Sequence, residues 1–146
     1  MNIDEEERNK KILNDHLLTS QELGEAEKLL FRVAQSLSME EDIIALQNPD
    51  QATGKKSNRL KKLMAYLDPK DQLIRMKSRI PQSDLIILPK GNPVSELYVT
   101  YHHVTSNHCG TNNLRARCEK AVYLLGGKNE YKRITKCCTC REPRKL

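Results

Sequence analysis

The chain has 146 residues, of which 30% are charged and 38% are hydrophobic, with one Phe and no Trp. This length suits one modest domain or two small ones, and it excludes most complete multidomain enzymes. Any hydrophobic core must therefore be built mainly from Leu, Ile, Val and Met side chains.

The net charge of +6 conceals a difference between two parts of the chain. Residues 1–50 contain 5 Lys and Arg against 12 Asp and Glu, a net charge of −7, whereas residues 51–146 contain 20 against 7, a net charge of +13. A basic segment of this kind commonly contacts nucleic acid, but a solvated basic surface has the same composition. We expect nucleic acid as the partner of the basic part, with a solvated surface as the alternative.

The start of the chain is acidic and lacks the positive flank and apolar stretch of a secretory signal. No apolar run approaches the roughly 20 residues that span a bilayer. All five cysteines follow residue 108, so we expect a local cysteine site and not a disulfide framework for the whole chain. We therefore expect an intracellular location, the nucleus included, and no membrane contact.

The N-terminal part predicts helices. We expect a flexible acidic lead-in over residues 1–18 and a helical linker region over residues 19–66. Thr19-x-x-Glu22 has the spacing of a capping box, and apolar residues then repeat at helical spacing as far as Leu37. The first helix is therefore predicted to begin at this capping box.

The rest of the helical region is less regular. Ser38-x-x-Glu41 predicts a second capping box and a short helix. Residues 51–58 are predicted to be a mobile linker. Residues 60–67 fit a helix, and a short strand near Tyr66 is the alternative.

Residues 67–92 predict a small β region. Leu73–Met76 and Leu85–Leu88 are short apolar runs bounded by turn residues and prolines, which is typical of strands that pair with each other. We expect one strand pair here.

Residues 93–146 predict a compact helical module. The helices are expected at Val94–His103, at Asn112–Leu125 and at Lys128–Lys136, and Gly126-Gly127 is interpreted as the stop of the second helix. The apolar face of the first of these helices contains Val94, Leu97, Tyr98 and Tyr101. The predicted fold class is α+β, mostly α.

Two pairs of metal-binding residue types form the strongest signal in the sequence. His103-x4-His108 is followed, after 28 residues, by Cys137-x2-Cys140. Zn²⁺ prefers four nitrogen or sulfur ligands in a tetrahedron, and two close pairs can supply them in a small fold. A site with four protein ligands has no position for a catalytic water, so we expect a structural zinc and no catalytic residues.

Alternatives to this ligand set remain open. The Cys-x2-Cys pair could be accidental or a redox dithiol, and a register shift could substitute a neighbour, namely His102, Cys109 or Cys138. Cys118 lies on an apolar stripe and is interpreted as a small core residue. Residues 90–146 hold few large apolar side chains, so we expect metal to be required for their folding.

The order of these residues resembles a known family. The pattern consists of His103, His108 and Gly110, an amphipathic helix, an aromatic residue before Leu-Leu-Gly-Gly-Lys128, and Cys137-x2-Cys140-Arg141. It is similar to the integrase zinc-binding domain of the HHCC type. Upstream segments, namely Leu18–Leu30, Leu67-Asp68, Leu73–Arg75 and Ile86–Lys90, resemble the stretch that precedes this domain in BEL/Pao-type retrotransposon polyproteins. The resemblance covers about residues 17–146.

The resemblance implies a zinc-binding module that contacts DNA and supports DNA integration in a parent polyprotein. In the family the catalytic core follows this domain, so we expect no enzymatic activity here. The candidate DNA-binding residues are Arg115, Arg117, Lys120, Lys128, Lys132, Arg133, Lys136 and Arg141.

Two other functions remain alternatives. One is a protein-interaction or oligomerisation module, including a homo-oligomer, that uses the acidic helix Thr19–Leu37 and the zinc hairpin as docking surfaces. The other is an inactive fragment of a mobile element. Binding to duplex DNA that weakens steeply with salt would favour DNA binding over the interaction module, for which we expect salt-tolerant self-association without DNA affinity.

Overall fold

The computed structural model describes residues 17–48 and 55–136, together with Glu7, Arg8, Lys10 and Asp50. In these residues the chain forms helices around a four-stranded sheet, so the predicted α+β, mostly α fold class is confirmed. The helices are α1 (Ser20–Ser38), α2 (Glu40–Gln47), α3 (Lys55–Lys62), α4 (Pro93–Thr105), α5 (Thr111–Cys118) and α6 (Gly127–Ile134). The strands are β1 (Ala65–Leu67), β2 (Ile74–Met76), β3 (Leu85–Leu88) and β4 (Val122–Leu124).

The first predicted capping box is confirmed. Thr19 Oγ1 accepts a hydrogen bond from the Glu22 backbone N–H at 3.2 Å, and the Glu22 carboxylate accepts one from the Thr19 backbone N–H at 2.7 Å. These bonds satisfy donors that the first turn of a helix leaves without partners. The hydrogen bonds from Thr19 also lower the pKa of the Glu22 carboxyl.

The second predicted capping box is wrong. Helix α1 continues through Ser38, and α2 begins after Met39, which makes no side-chain cap hydrogen bond. A capping residue needs an extended backbone, which Ser38 lacks because it is still helical. Its hydroxyl instead accepts a hydrogen bond from the Asn92 side-chain amide at 2.9 Å.

The predicted mobile linker is wrong where the structure describes it. Residues 51–54 lie outside the described residues, but residues 55–58 belong to α3. Leu60 anchors this helix because its side chain is buried against Met39 and Ile87. Met64 then has a left-handed backbone, with φ of 52°, and the strand alternative near Tyr66 forms as β1.

The sheet has the order β1-β2-β3-β4. The predicted strand pair is confirmed, since β2 and β3 pair antiparallel, and β1 adds to β2 in the same way. Strand β4 was not predicted, and it pairs parallel with β3, with Ile86 opposite Val122 and Leu88 opposite Leu124. Helices α4 and α5 lie in the crossover that a parallel pair requires.

The predicted helix Asn112–Leu125 is therefore wrong beyond Cys118. Its apolar residues fit a helical stripe, but Val122 and Leu124 are buried in the sheet. The interpretation of Gly126-Gly127 as a helix stop is also wrong, because these glycines begin α6. Gly126 has a left-handed φ of 65°, and a Cβ at Gly127 would lie 2.9 Å from Tyr131 Cε2.

The last predicted helix is confirmed as α6, with Tyr131 and Ile134 buried. Both belong to a cluster that also contains Phe31 of α1, Leu73 and Leu114. A second cluster, which includes Ile74 and Ile87, packs beneath α2 and α3. Because neighbouring strand residues alternate between the two clusters, the sheet separates them.

The lengths and hydropathy of the described helices bear on whether the chain crosses a membrane. Among the described residues, no helix combines the length and the apolar character needed to cross a membrane.

Gln35 joins α1 to the centre of the sheet. Extending the β2–β3 register from Arg75 opposite Ile86 would place Ile74 opposite Ile87. The Gln35 amide lies between these residues: its Nε2 donates to Ile74 O at 3.1 Å and to Ile87 O at 2.6 Å, and its Oε1 accepts from Ile74 N at 2.8 Å. The side chain is 1% exposed, so three buried backbone groups depend on it.

Replacing this amide should destabilise the fold. We expect Gln35→Leu to lower the free energy of unfolding by about 2–4 kcal/mol, because it leaves buried backbone groups without partners. Chemical denaturation followed by circular dichroism measures this. The control is Ser36→Ala, whose exposed hydroxyl bonds only within its own helix, with an expected change within about 0.5 kcal/mol. Equal stability of Gln35→Leu and the unsubstituted chain would contradict the assigned role.

Candidate metal centre

The two predicted histidine ligands lie at the end of α4. His103 is buried in the last turn of the helix, and His108 lies five residues later in the following loop. Asn107 and His108 both have left-handed backbones, with φ of 54° and 53°, and the His108 N–H donates to His103 O at 2.9 Å. Two consecutive residues of this kind are costly, and this local conformation turns His108 back toward His103.

The imidazole rings meet through their nitrogens. His108 Nδ1 lies 3.2 Å from His103 Nε2, and the ring planes are 89° apart. In a tetrahedral site with Zn–N bonds of 2.0–2.1 Å, two nitrogen ligands lie about 3.3–3.4 Å apart. The same separation is compatible with a hydrogen bond between the rings. The histidine pair therefore fits two positions of a zinc site with little movement.

The neighbouring ligand candidates, His102 and Cys109, contact other side chains. His102 packs edge-to-face against Tyr98 and Tyr101, with ring centroids 4.6 Å and 5.5 Å away, and burial lowers its pKa. Cys109 Sγ lies 3.0 Å from Ser106 Oγ. Of the adjacent histidines, it is therefore His103 that comes together with His108.

The predicted cysteine ligands Cys137 and Cys140 lie outside the described residues, and so does the alternative ligand Cys138. In the described part of the chain, no group of three or more His, Cys, Asp or Glu side chains is arranged to hold a metal ion. That finding concerns only the histidine half of the predicted ligand set.

A threonine pair brings the end of the described chain to the histidine loop. Thr111 Oγ1 and Thr135 Oγ1 are 2.9 Å apart and hydrogen-bonded. Thr111 follows His108 by three residues, and Thr135 precedes Cys137 by two. The sequence reasoning did not identify this pair, since two threonines so far apart carry no local signal.

Cys118 is a core residue, as predicted. Its side chain is fully buried beside Leu114 and Tyr131, and burial raises the pKa of its thiol from 9.0 to about 12. Metal ligation requires a thiolate, so this environment opposes a role as a ligand.

The candidate DNA-binding residues on α5, α6 and their flanks are exposed where the structure describes them; Arg141 lies outside the described residues. Two of them are engaged in ion pairs. Arg115 pairs with Glu119 at 2.8 Å, and Arg133 pairs with Glu130 at 2.5 Å and with Glu96 at 3.2 Å. These partners raise the pKa of both guanidinium groups.

The remaining exposed cations include three lysines on α6 and directly after it. Lys128 and Lys132 lie on α6 and are exposed, unlike its buried Tyr131 and Ile134, and Lys136 is exposed two residues beyond the end of this helix. Arg117 and Lys120 are also exposed at the end of α5.

Comparison of the chain with protein-family models, with curated proteins and with solved structures found no match.

The two described cysteines should differ in reactivity. Cys118 is buried with a raised pKa, whereas Cys109 is partly exposed. At pH 8 we expect alkylation of Cys118 by iodoacetamide to be at least about 100-fold slower than that of Cys109, because the thiolate is the reacting form. Peptide mapping by mass spectrometry separates the two sites, and denatured protein provides the control, in which their rates should converge. Equal rates in the folded protein would contradict the assigned burial.

Proposed function

We propose that the chain is a non-catalytic zinc-binding module that binds DNA, similar in role to the N-terminal zinc-binding domain of a BEL/Pao-type retrotransposon integrase. His103, His108, Cys137 and Cys140 would hold one structural Zn²⁺. The observation that carries this proposal is the 3.2 Å separation between His103 Nε2 and His108 Nδ1. It matches the distance between two ligands of one tetrahedral ion.

The surrounding contacts support the same ligand set. The Thr111–Thr135 hydrogen bond fixes the chain two residues before Cys137, beside the loop that carries His108. The Glu96–Arg133 ion pair also joins α4 to α6, although its exposure makes its own contribution small. Two ligands from the end of α4 and two from the chain after α6 would therefore cross-link these helices.

The expected role of the metal is structural stabilisation. A structural zinc supplies an apparent free energy of about 10–16 kcal/mol at neutral pH, and four protein ligands leave no position for a reacting water. Leu114, Tyr131 and Ile134 share one core cluster with Phe31 and Leu73. Loss of the metal would therefore destabilise the sheet side of the protein as well as α4–α6.

The DNA-binding part of the proposal is supported by the exposed cations of α5 and α6. Lysines at four-residue spacing along a helix can contact consecutive phosphates, which positions a protein on DNA without reading its sequence. The resemblance to the integrase module favours this partner over a solvated surface. An intracellular, nuclear location follows from this proposal.

Metal content tests the zinc site directly. We expect one zinc per purified chain, loss of this zinc in His108→Ala and Cys140→Ser, and a lower melting temperature after chelation. The matched control is His102→Ala, which removes an adjacent imidazole that packs on tyrosines and should leave the zinc content unchanged. Inductively coupled plasma mass spectrometry and thermal melting provide the measurements. Metal-free protein whose melting is unaffected by a chelator would refute the site.

The salt dependence of DNA binding tests the second part. We expect affinity for a short duplex to fall steeply with salt, and replacement of Lys128, Lys132 and Lys136 by Ala to reduce the slope of log K against log salt by about 2–3. A control with the same loss of charge replaces three exposed lysines elsewhere, namely Lys61, Lys62 and Lys77. Fluorescence anisotropy provides the measurement. Equal slopes for the two triple variants would show that Lys128, Lys132 and Lys136 do not contact DNA.

A further inference from the structure

Helix α1 is apolar on two sides. One side, with Phe31, Ala34 and Gln35, is buried. The other side carries apolar residues at alternating spacings of three and four, and all of them are exposed: Leu23, Ala26, Leu30, Val33 and Leu37. This spacing is the seam of a two-helix coiled coil, and a helix that packed only on its own sheet would not need it.

The exposed seam continues into a groove between α1 and α4. The groove has a volume of about 640 Å³, and Phe31, Val94 and Tyr98 form part of its lining. Phe31 and Tyr98 meet edge-to-face, with ring centroids 5.6 Å apart. The contact between these two rings joins the helices along the groove.

The edges of the groove are apolar and exposed. Leu23 and Leu30 of α1 are 55% and 49% exposed, and Leu97 and Tyr101 of α4 are 64% and 62% exposed. These α4 residues belong to the apolar face that the sequence predicted, while the residues that α4 buries are Ser95, Val99 and His103. A contiguous apolar surface of this kind marks an interaction site.

The charges beside the seam favour one kind of partner. Glu22 and Glu27 occupy the two positions that flank the seam in its first turns, and Glu27 lines the groove. In a parallel pair of α1 helices, Glu22 of one copy would face Glu27 of the other, and in an antiparallel pair Glu27 would face its counterpart. Like charges at these positions oppose self-association and favour Lys or Arg on the partner.

We propose that the groove between α1 and α4 binds an amphipathic helix of a partner protein. The helix would place apolar residues, spaced three and four apart, against Leu23, Leu30, Leu97 and Tyr101. It would place Lys or Arg opposite Glu27, the acidic residue that lines the groove. This is recognition of a helix in an apolar groove, with the charge of Glu27 in its lining setting specificity. The proposal is independent of zinc and DNA binding.

Two synthetic peptides test the proposal with the full chain. Both carry Leu at the seam positions of three heptads; one has Lys and the other has Glu at all flanking positions, so neither pairs with itself. We expect the Lys peptide to bind at least about tenfold more tightly than the Glu peptide at low salt. Isothermal titration calorimetry measures both affinities.

Substitutions locate the binding surface. Leu30→Asp and Leu97→Asp should each weaken binding of the Lys peptide at least about tenfold, since each places a charge in an apolar contact. Ile44→Asp, which changes an equally exposed apolar residue on α2, should not. Thermal melting checks that all three variants fold. Glu27→Lys should invert the preference between the peptides, and it spares Glu22, which caps α1.

The following results would contradict the proposal. Equal binding of both peptides, or binding that Ile44→Asp weakens as much as Leu30→Asp, would remove the assigned specificity or location. Failure of either peptide to bind would remove the site. Concentration-dependent dimerisation of the chain that Leu30→Asp abolishes, without peptide binding, would identify a second copy as the occupant.

Discussion

The amide of Gln35 fills a place in the sheet that backbone groups normally occupy. Strands β2 and β3 separate at Ile74 and Ile87, and the Gln35 side chain supplies the missing hydrogen bonds to both. A helix that packed only through apolar contacts could slide or rotate, because such contacts are not directional. Three buried hydrogen bonds fix the rotation of α1, and this rotation decides that the Leu23–Leu37 seam faces outward.

The parallel pair β3–β4 is the second constraint. It draws the chain after α5 back into the sheet, so α6 starts directly beside Lys90, whose side chain lies over Gly126. The regions predicted as a β unit, residues 67–92, and as a zinc module, residues 93–146, thus contribute to one sheet and one core cluster. A metal ion that cross-linked α4 and the chain after α6 would therefore stabilise the same sheet and core to which Gln35 attaches α1.

The elements that the sequence predicted correctly are those with local causes. The Thr19–Glu22 capping box depends on four consecutive residues, and the runs Leu73–Met76 and Leu85–Leu88 carry their own strand propensity. Strand β4 depends on a neighbour more than thirty residues away. The stretch that contains it, Cys118 to Leu125, has apolar residues that satisfy a helical period equally well, so tertiary pairing decided the outcome.

The candidate metal site also combines features that the sequence predicted with features that only the structure shows. The sequence predicted the spacing of the two histidine ligands. The choice between His102 and His103 required the structure, since it depends on which ring packs on Tyr98 and Tyr101. Gln35 and the Thr111–Thr135 pair gave no signal, because a polar residue in a helix normally faces water and only the fold shows what it contacts.

Helix α4 explains how such different surfaces coexist in a small protein. Its buried side, with Ser95 and Val99, belongs to the interior; its end presents His103 to His108; and its remaining side, with Leu97 and Tyr101, lines the groove. The buried Ser95 hydroxyl donates to Pro89 O at 2.7 Å, which satisfies the polar group on the interior side. A single helix of 13 residues thus has three sides with three environments, and its apolar residues do not all belong to the core. Helices α1, with Glu27 beside its apolar seam, and α6, with its exposed lysines, both pack on this helix. Their opposite charges disfavour the same ligand, so a basic helix and a phosphate backbone would be recognised by different sides of the molecule.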